Sequence, residues 1–209
     1  MTVNARETEE KQISLADVEH EIVHHTELPR TTLSSFIDTW VGGLGALCSW
    51  LWIATIGTIL TSVISRYVFS SGSVMLEEVQ WHLAGAAWLV GLSYALVHDA
   101  HVRVDVLHER LSRRTQAWIE FAGILLLLMP FLLISFWEAL PYVLSSFEQN
   151  EHSQAPNGLP WRWLIKAFLP GSMLLLILAA IARFLRVTAL LFGFPRPINS
   201  DRGTLTQGK

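Results

Sequence analysis

The chain has 209 residues, of which 51% are hydrophobic and only 16% are charged, and its formal net charge is −3. A mean hydropathy of +0.38 is too high for a soluble domain of this length and favours a membrane protein. No nucleotide-binding loop, zinc-ligand spacing or nucleophile motif is present in the sequence. We therefore expect contacts with membrane lipids, no nucleic acid partner and no cofactor in this chain.

The composition divides the chain into three predicted parts. Residues 1–32 are polar and rich in acidic side chains, which predicts a loose cytoplasmic tail. Residues 33–192 contain nearly all of the apolar sequence and form the predicted membrane domain. Residues 193–209 are rich in glycine, proline and polar residues and are predicted to be a second cytoplasmic tail.

Four long tracts of the middle part are almost without charge, and a helix needs about 20 apolar residues to cross a membrane. We predict an all-α membrane protein with four transmembrane helices, near residues 36–65, 79–97, 118–140 and 164–188. Continuous apolar runs lack the alternation of apolar and polar residues that is typical of barrel strands. Helices are therefore the expected form of the membrane spans. The first and last tracts exceed the minimum length, so we expect them to tilt or to project beyond the bilayer.

The arginine and lysine residues are distributed unequally around these tracts. Twelve of the 15 lie in the N-terminal segment, in the connection between the second and third spans, or at and beyond the end of the last span. Because cytoplasmic segments of membrane proteins carry an excess of arginine and lysine, both termini are predicted to be cytoplasmic. The connections 66–78 and 141–163 are then predicted to face outward.

The first outward connection opens the candidate site, with the sequence RYVFSSGSVMLEEVQWH over residues 66–82. Arg66 closes the first span, and Glu77 and Glu78 begin the second, where a helix N-terminus favours acidic side chains. Trp81 follows at the depth of the lipid headgroups. One interpretation is a solvated ion pair between Arg66 and one glutamate. The other is that part of this cluster contacts another protein, because adjacent helical residues point in different directions and one glutamate would remain unpaired.

The connection after the second span, HDAHVRVDVLHERL over residues 98–111, predicts a cytoplasmic turn and a short helix on the membrane surface. His101 and Asp105 are four residues apart, so in a helix they share one face and are within hydrogen-bonding reach. Arg103 points elsewhere. If this segment contacts no other protein, it is interpreted as a basic anchor to the cytoplasmic leaflet.

The sequence disfavours two functions that the chain would perform alone, namely haem binding and transport of a polar solute. A haem-binding bundle needs axial ligands on two facing helices, yet three of the four predicted spans contain no histidine. A carrier of a polar solute needs polar groups near the bilayer midplane, whereas the acidic residues here lie at the predicted span ends. A role that depends on a partner protein remains.

In their order and spacing, several stretches resemble the small membrane subunit, of DctQ type, of tripartite ATP-independent periplasmic (TRAP) transporters. The resemblance covers about residues 33–190. The stretches are Arg66-Tyr67-Val68-Phe69, Glu77-Glu78 with Trp81, Gly91, His101-Val102-Arg103-Val104-Asp105, Gly158-Leu159-Pro160-Trp161, Lys166 and Pro170-Gly171.

The resemblance implies a small permease subunit in the inner membrane of a bacterium. In this family a periplasmic solute-binding protein delivers an organic anion to a large multi-helix subunit, which holds the substrate and sodium sites. The small subunit supports the large one and helps to receive the binding protein. The rival interpretations are an accessory scaffold of another inner-membrane complex and, less favoured, a four-helix redox protein.

The resemblance also implies roles for particular residues. It places outer-face bracing or docking at Arg66, Glu77, Glu78 and Trp81, and it places the cytoplasmic turn at His101, Arg103 and Asp105. The outer loop and the start of the last helix are placed at Pro160, Trp161, Lys166, Pro170 and Gly171.

Overall fold

A computed structural model of the protein describes residues 28–100 and 111–196. Over these ranges the chain is helical and contains no strand, which confirms the predicted all-α class there. The helices are α1 (Thr32–Cys48), α2 (Trp50–Val68), α3 (Val74–Val97), α4 (Arg113–Gly123), α5 (Met129–Glu148) and α6 (Arg162–Phe192), with a π-helical turn, Ile124–Leu128, between α4 and α5.

Three stretches are long and apolar enough to cross a membrane: Thr32–Val68, Arg114–Glu148 and Arg162–Phe192. They correspond to the first, third and fourth predicted spans, and each is longer than predicted. The second predicted span forms α3, a helix of 24 residues that includes Gln80 and His82 and is not among these three stretches. That α3 crosses the bilayer stays a prediction. The surface helix predicted within residues 98–111 also stays a prediction, because residues 101–110 lie outside the described ranges.

The first span is interrupted at Ser49, between α1 and α2. The Ser49 hydroxyl donates a hydrogen bond to the carbonyl of Gly45 at 3.0 Å, and the Ser49 N–H donates to the same oxygen at 2.9 Å. A serine side chain that bonds back to the preceding turn competes with the backbone hydrogen bonds of the helix. The single predicted crossing is therefore two helical segments in series.

The third span contains a widened turn directly before Pro130. The Met129 N–H donates to the carbonyl of Ile124, five residues back, as in a π-helix. Proline has no N–H and its ring clashes with the carbonyl four residues earlier in a regular helix. The wider turn moves the preceding carbonyls out of their regular helical positions and so avoids this clash. The helix can therefore continue past Pro130.

Helix α6 is the central element of the bundle, and it packs against α1, α3, α4 and α5. Ala179, Ala180 and Ala182 of α6 are all buried. Small side chains allow close helix approach, which is the main source of helix association in a membrane. The outer helices keep much of their apolar surface exposed, including Trp40, Ile56, Leu126, Phe131 and Ile134.

Helices α1 and α3 approach each other closely at Gly45. A Cβ atom at Gly45 would lie 2.7 Å from the Cβ of Tyr94 and 2.5 Å from its Cδ2. The Tyr94 ring in turn stacks on His98, with ring centroids 4.0 Å apart. Gly45 is thus required by packing, because α3 occupies the space that any larger side chain would need.

Candidate functional site: charged clusters at the two ends of the bundle

The ion pairs among the described residues lie at the two ends of the bundle. At one end α2 and α5 finish and α3 and α6 begin; we call this the Glu78 end. At the opposite end α1 and α4 begin and α3 and α6 finish; we call this the Arg183 end. Each end contains a set of contacts that joins helices distant in sequence.

At the Glu78 end, Arg66 forms an ion pair with Glu77 across the short connection between α2 and α3. The two side chains are 54% and 42% exposed. Water and salt screen such a pair strongly, so it contributes little to stability. It joins two helices that the short connection already holds together.

Glu78 has the larger structural role, because it binds the loop of residues 149–161 between α5 and α6. The Ser153 hydroxyl donates to one carboxylate oxygen, and the Leu159 N–H donates to the other at 2.6 Å. A Cβ atom at Gly158 would overlap the Cβ of Ser153 and lie 3.0 Å from the same carboxylate, so this close approach favours glycine. These hydrogen bonds, that of Ser153 first, lower the pKa of Glu78 from its ordinary value. The glutamate that the sequence analysis left for a partner is therefore engaged by the chain itself.

A second carboxylate, Glu151, fixes the same loop to α5 and α6. It forms an ion pair with Lys166, accepts a hydrogen bond from the Ser146 hydroxyl at 2.6 Å and lies 3.8 Å from Arg162. The hydrogen bond from Lys166, followed by that from Ser146, lowers the pKa of Glu151. The Lys166 ammonium also lies 4.2 Å from the centroid of the Tyr142 ring, a cation–π contact.

The remaining predicted residues of this end have separate positions. Trp81 is 76% exposed on α3, and Trp161 is 62% exposed at the end of the loop, directly before α6. Trp161 adopts a left-handed conformation with φ 63°, and Pro160 precedes it. Pro170 is buried within α6, and Gly171 lies next to it on the exposed side. Of these residues, Pro160 and Trp161 belong to the anchored loop, and the others lie in helices.

At the Arg183 end, one guanidinium joins three helical segments. Arg183 of α6 contacts Asp99, just after α3, at 2.7 Å and forms a second ion pair with Glu120 of α4. Its side chain is only 9% exposed. A guanidinium between two carboxylates satisfies its planar donors, and removal of one partner from a buried pair is costly.

A neighbouring ion pair joins the start of α1 to the same helix. Arg186 of α6 pairs with Asp38 of α1, and its Nε donates to the Ser34 hydroxyl at 3.4 Å. Ser34 also forms a capping box with Thr31: the Ser34 N–H donates to the Thr31 hydroxyl, and the Thr31 N–H donates to the Ser34 hydroxyl at 3.1 Å. The beginning of the first span is thus fixed to α6.

This second cluster was not predicted from the sequence, where Arg183 and Arg186 were interpreted only as basic residues flanking the last span. Both lie inside α6, which continues to Phe192. Their separation by three residues puts them on one helix face, which was the available signal. The predicted cytoplasmic turn at His101, Arg103 and Asp105 lies outside the described residues, so its contacts stay predictions.

The fold and its clusters define a helical protein with three stretches long and apolar enough to span a membrane, and its ion pairs among the described residues join parts of its own chain. The family model of the DctQ component of tripartite ATP-independent periplasmic transporters matches residues 55–190, from α2 to near the end of α6. The chain belongs to this family, and the resemblance read from the sequence is confirmed. The family is a transporter component and not an enzyme family. No curated protein matches the chain in sequence.

Proposed function

We propose that the chain is the small permease subunit of a TRAP transporter in a bacterial inner membrane. In this role it supports the large transport subunit and helps to dock the periplasmic solute-binding protein during sodium-driven uptake of an organic anion. The observation that carries the proposal is the family match over residues 55–190. Sodium coupling and substrate binding belong to the large subunit in this proposal, and the small subunit has no cofactor.

The division of its surface supports a scaffold role. Arg183, Arg186, Glu78 and Glu151 are all engaged in contacts between helices or with the loop of residues 149–161. The first and third spans keep a broad apolar surface exposed. A larger membrane subunit can cover such a surface by close packing, and a set of internal ion pairs keeps the scaffold rigid while it is covered.

The proposed orientation places the Glu78 end in the periplasm, in agreement with the bias of arginine and lysine. The loop of residues 149–161 then faces the binding protein. Its shape is fixed from two sides by Glu78 and Glu151, so little ordering entropy is lost when a partner binds. Trp161 supplies an exposed aromatic ring beside the loop, and aromatic residues are frequent at the centres of protein interfaces.

Reconstitution into proteoliposomes tests the proposal. Uptake of the anion should need this chain, the large subunit, the binding protein and an inward sodium gradient together. Undiminished uptake without this chain would contradict it. In the complete system, Trp161→Ala should raise the Kd for the binding protein at least about fivefold. Trp50→Ala changes an equally exposed tryptophan at the junction of α1 and α2 and should leave that Kd unchanged.

A further inference from the structure

A groove of about 630 Å³ lies at the Arg183 end, between the start of α1 and the last turns of α6. Leu33 of α1 and Leu185 and Phe192 of α6 form much of its apolar lining. Residues 194–196 close one side, and Arg196 lies at the edge. The groove is distinct from the contacts of Arg183 and from the loop at the opposite end.

The length of α6 places this groove at the depth of the lipid headgroups. A helix of 31 residues is about 46 Å long, whereas the hydrocarbon core is about 30 Å thick. When α6 is centred in the core, about five residues at each end project into the headgroup layer. Phe192 and the following residues of the groove then lie beside phosphate groups, and Leu185 lies beside the upper acyl chains.

The charge around the groove is positive and uncompensated within the described part of the chain. Arg183 and Arg186 are paired with carboxylates, but Arg196 at the groove and the nearby Arg30 form no ion pair with any described residue. Both arginines are exposed. Arg30 adjoins Thr31, which lines the groove, and it lies close enough to Arg186 for the two like charges to interact. A negatively charged group at this position would relieve that repulsion.

We propose that this groove binds an anionic phospholipid, with an acyl chain against Leu33, Leu185 and Phe192 and the phosphate between Arg30 and Arg196. An apolar groove with a basic edge at headgroup depth is the arrangement that selects an anionic lipid over a zwitterionic one. The site belongs to the bundle itself, so it is independent of the transported solute and of the proposed partners.

The test uses the full-length chain in a neutral detergent, with added phosphatidylglycerol or phosphatidylcholine. Native mass spectrometry should find one tightly bound phosphatidylglycerol, and phosphatidylcholine should bind more weakly. Each arginine near a membrane surface changes the affinity for anionic lipid about fivefold. The double variant Arg30→Gln/Arg196→Gln should therefore weaken phosphatidylglycerol binding about thirtyfold.

Two further variants separate charge from shape. Arg114→Gln removes the same charge from an exposed position at the same end that does not line the groove, and it should change the affinity less than twofold. Thr188→Phe fills the groove without a charge change and should weaken the binding of both lipids. Thermal unfolding without lipid checks that each variant folds. If Thr188→Phe does not fold, the arginine variants alone test the proposal.

Four results would overturn the proposal. Equal binding of the two lipids would show that the basic edge does not select an anionic lipid. Wild-type affinity in the double variant would show that Arg30 and Arg196 do not bind the phosphate. Equal stabilisation by inorganic phosphate would identify an anion site without lipid. Tight binding only after deletion of residues 1–27 would indicate that the acidic N-terminal segment occupies the groove.

Discussion

The carboxylate of Glu78 accepts a hydrogen bond from the backbone N–H of Leu159 at 2.6 Å, although 81 positions separate the two residues. One side chain at the start of α3 thereby fixes the shape of the loop that precedes α6. Among the described residues, the neighbouring Glu77 forms an ion pair with Arg66, whose helix is already joined to α3 by a short connection. Two adjacent glutamates therefore have different roles, and these roles can be separated by experiment.

Glu78→Ala should speed hydrogen exchange at the Leu159 amide, because the substitution removes the acceptor of that N–H. Hydrogen exchange of the peptide that covers residues 153–160, followed by mass spectrometry, measures the effect. Glu77→Ala is the matched control, with the same charge change one residue away, and should leave this exchange unchanged. Equal exchange in both variants and in the wild type would show that Glu78 does not hold the loop.

The loop contacts should also weaken in acid. The pKa values of Glu78 and Glu151 are both lowered from the ordinary 4.5 by hydrogen bonds that favour the carboxylate. A lowered pKa in the folded protein means that the stabilisation is complete above pH 4.5 and is lost as the pH falls through the folded value. Exchange of the same peptide, corrected for the intrinsic pH effect, should rise below pH 4.5 and should depend less on pH in Glu78→Gln.

Arg183→Leu should destabilise the bundle by about 3 kcal/mol, because it leaves Asp99 and Glu120 without their shared cation. For a chain of this size, that corresponds to a decrease in Tm of about 10 °C in thermal unfolding. Arg114→Leu, at an exposed position of the same end, should change Tm little. A triple variant that adds Asp99→Asn and Glu120→Gln should recover part of the loss, and no difference between Arg183→Leu and wild type would contradict the role of this cluster.

Gly45→Ala should destabilise the chain by about 1–3 kcal/mol, because the added Cβ overlaps Tyr94 and the ring is held by stacking on His98. Gly43→Ala, two residues earlier, meets no atom within 4 Å. That control should be neutral or slightly stabilising, since alanine is a better helix former than glycine. Thermal unfolding of the two variants side by side measures the difference, and equal Tm values would mean that α1 and α3 are not in close contact at Gly45.

The sequence was informative where local chemistry decides the structure. Long apolar tracts predict spans because a helix satisfies its own backbone in lipid. The pairing of Arg66 with a neighbouring glutamate was one of two interpretations of the sequence. It could be offered because 11 positions and one short connection separate Arg66 from Glu77. The family resemblance rested on ordered motifs, and it correctly led to the DctQ component.

The contacts between distant segments were beyond sequence reasoning. Ser153 and Leu159 have no composition signal that relates them to Glu78, and only the packing of α3 beside α6 brings them together. Arg183 resembled a basic flank, because charge near the end of an apolar tract normally marks the membrane surface. Its buried position depends on Asp99 and Glu120, which come from two other segments.

The central claim is that this chain forms part of a transporter with a much larger membrane subunit. The most direct measurement is a mild-detergent pull-down of the tagged chain, expressed together with its neighbouring reading frames and analysed by mass spectrometry. The account predicts recovery of one large multi-helix protein at equal stoichiometry, with the periplasmic binding protein added when solute is present. Recovery of the chain alone, stable and with a bound chromophore or an enzymatic activity, would contradict it.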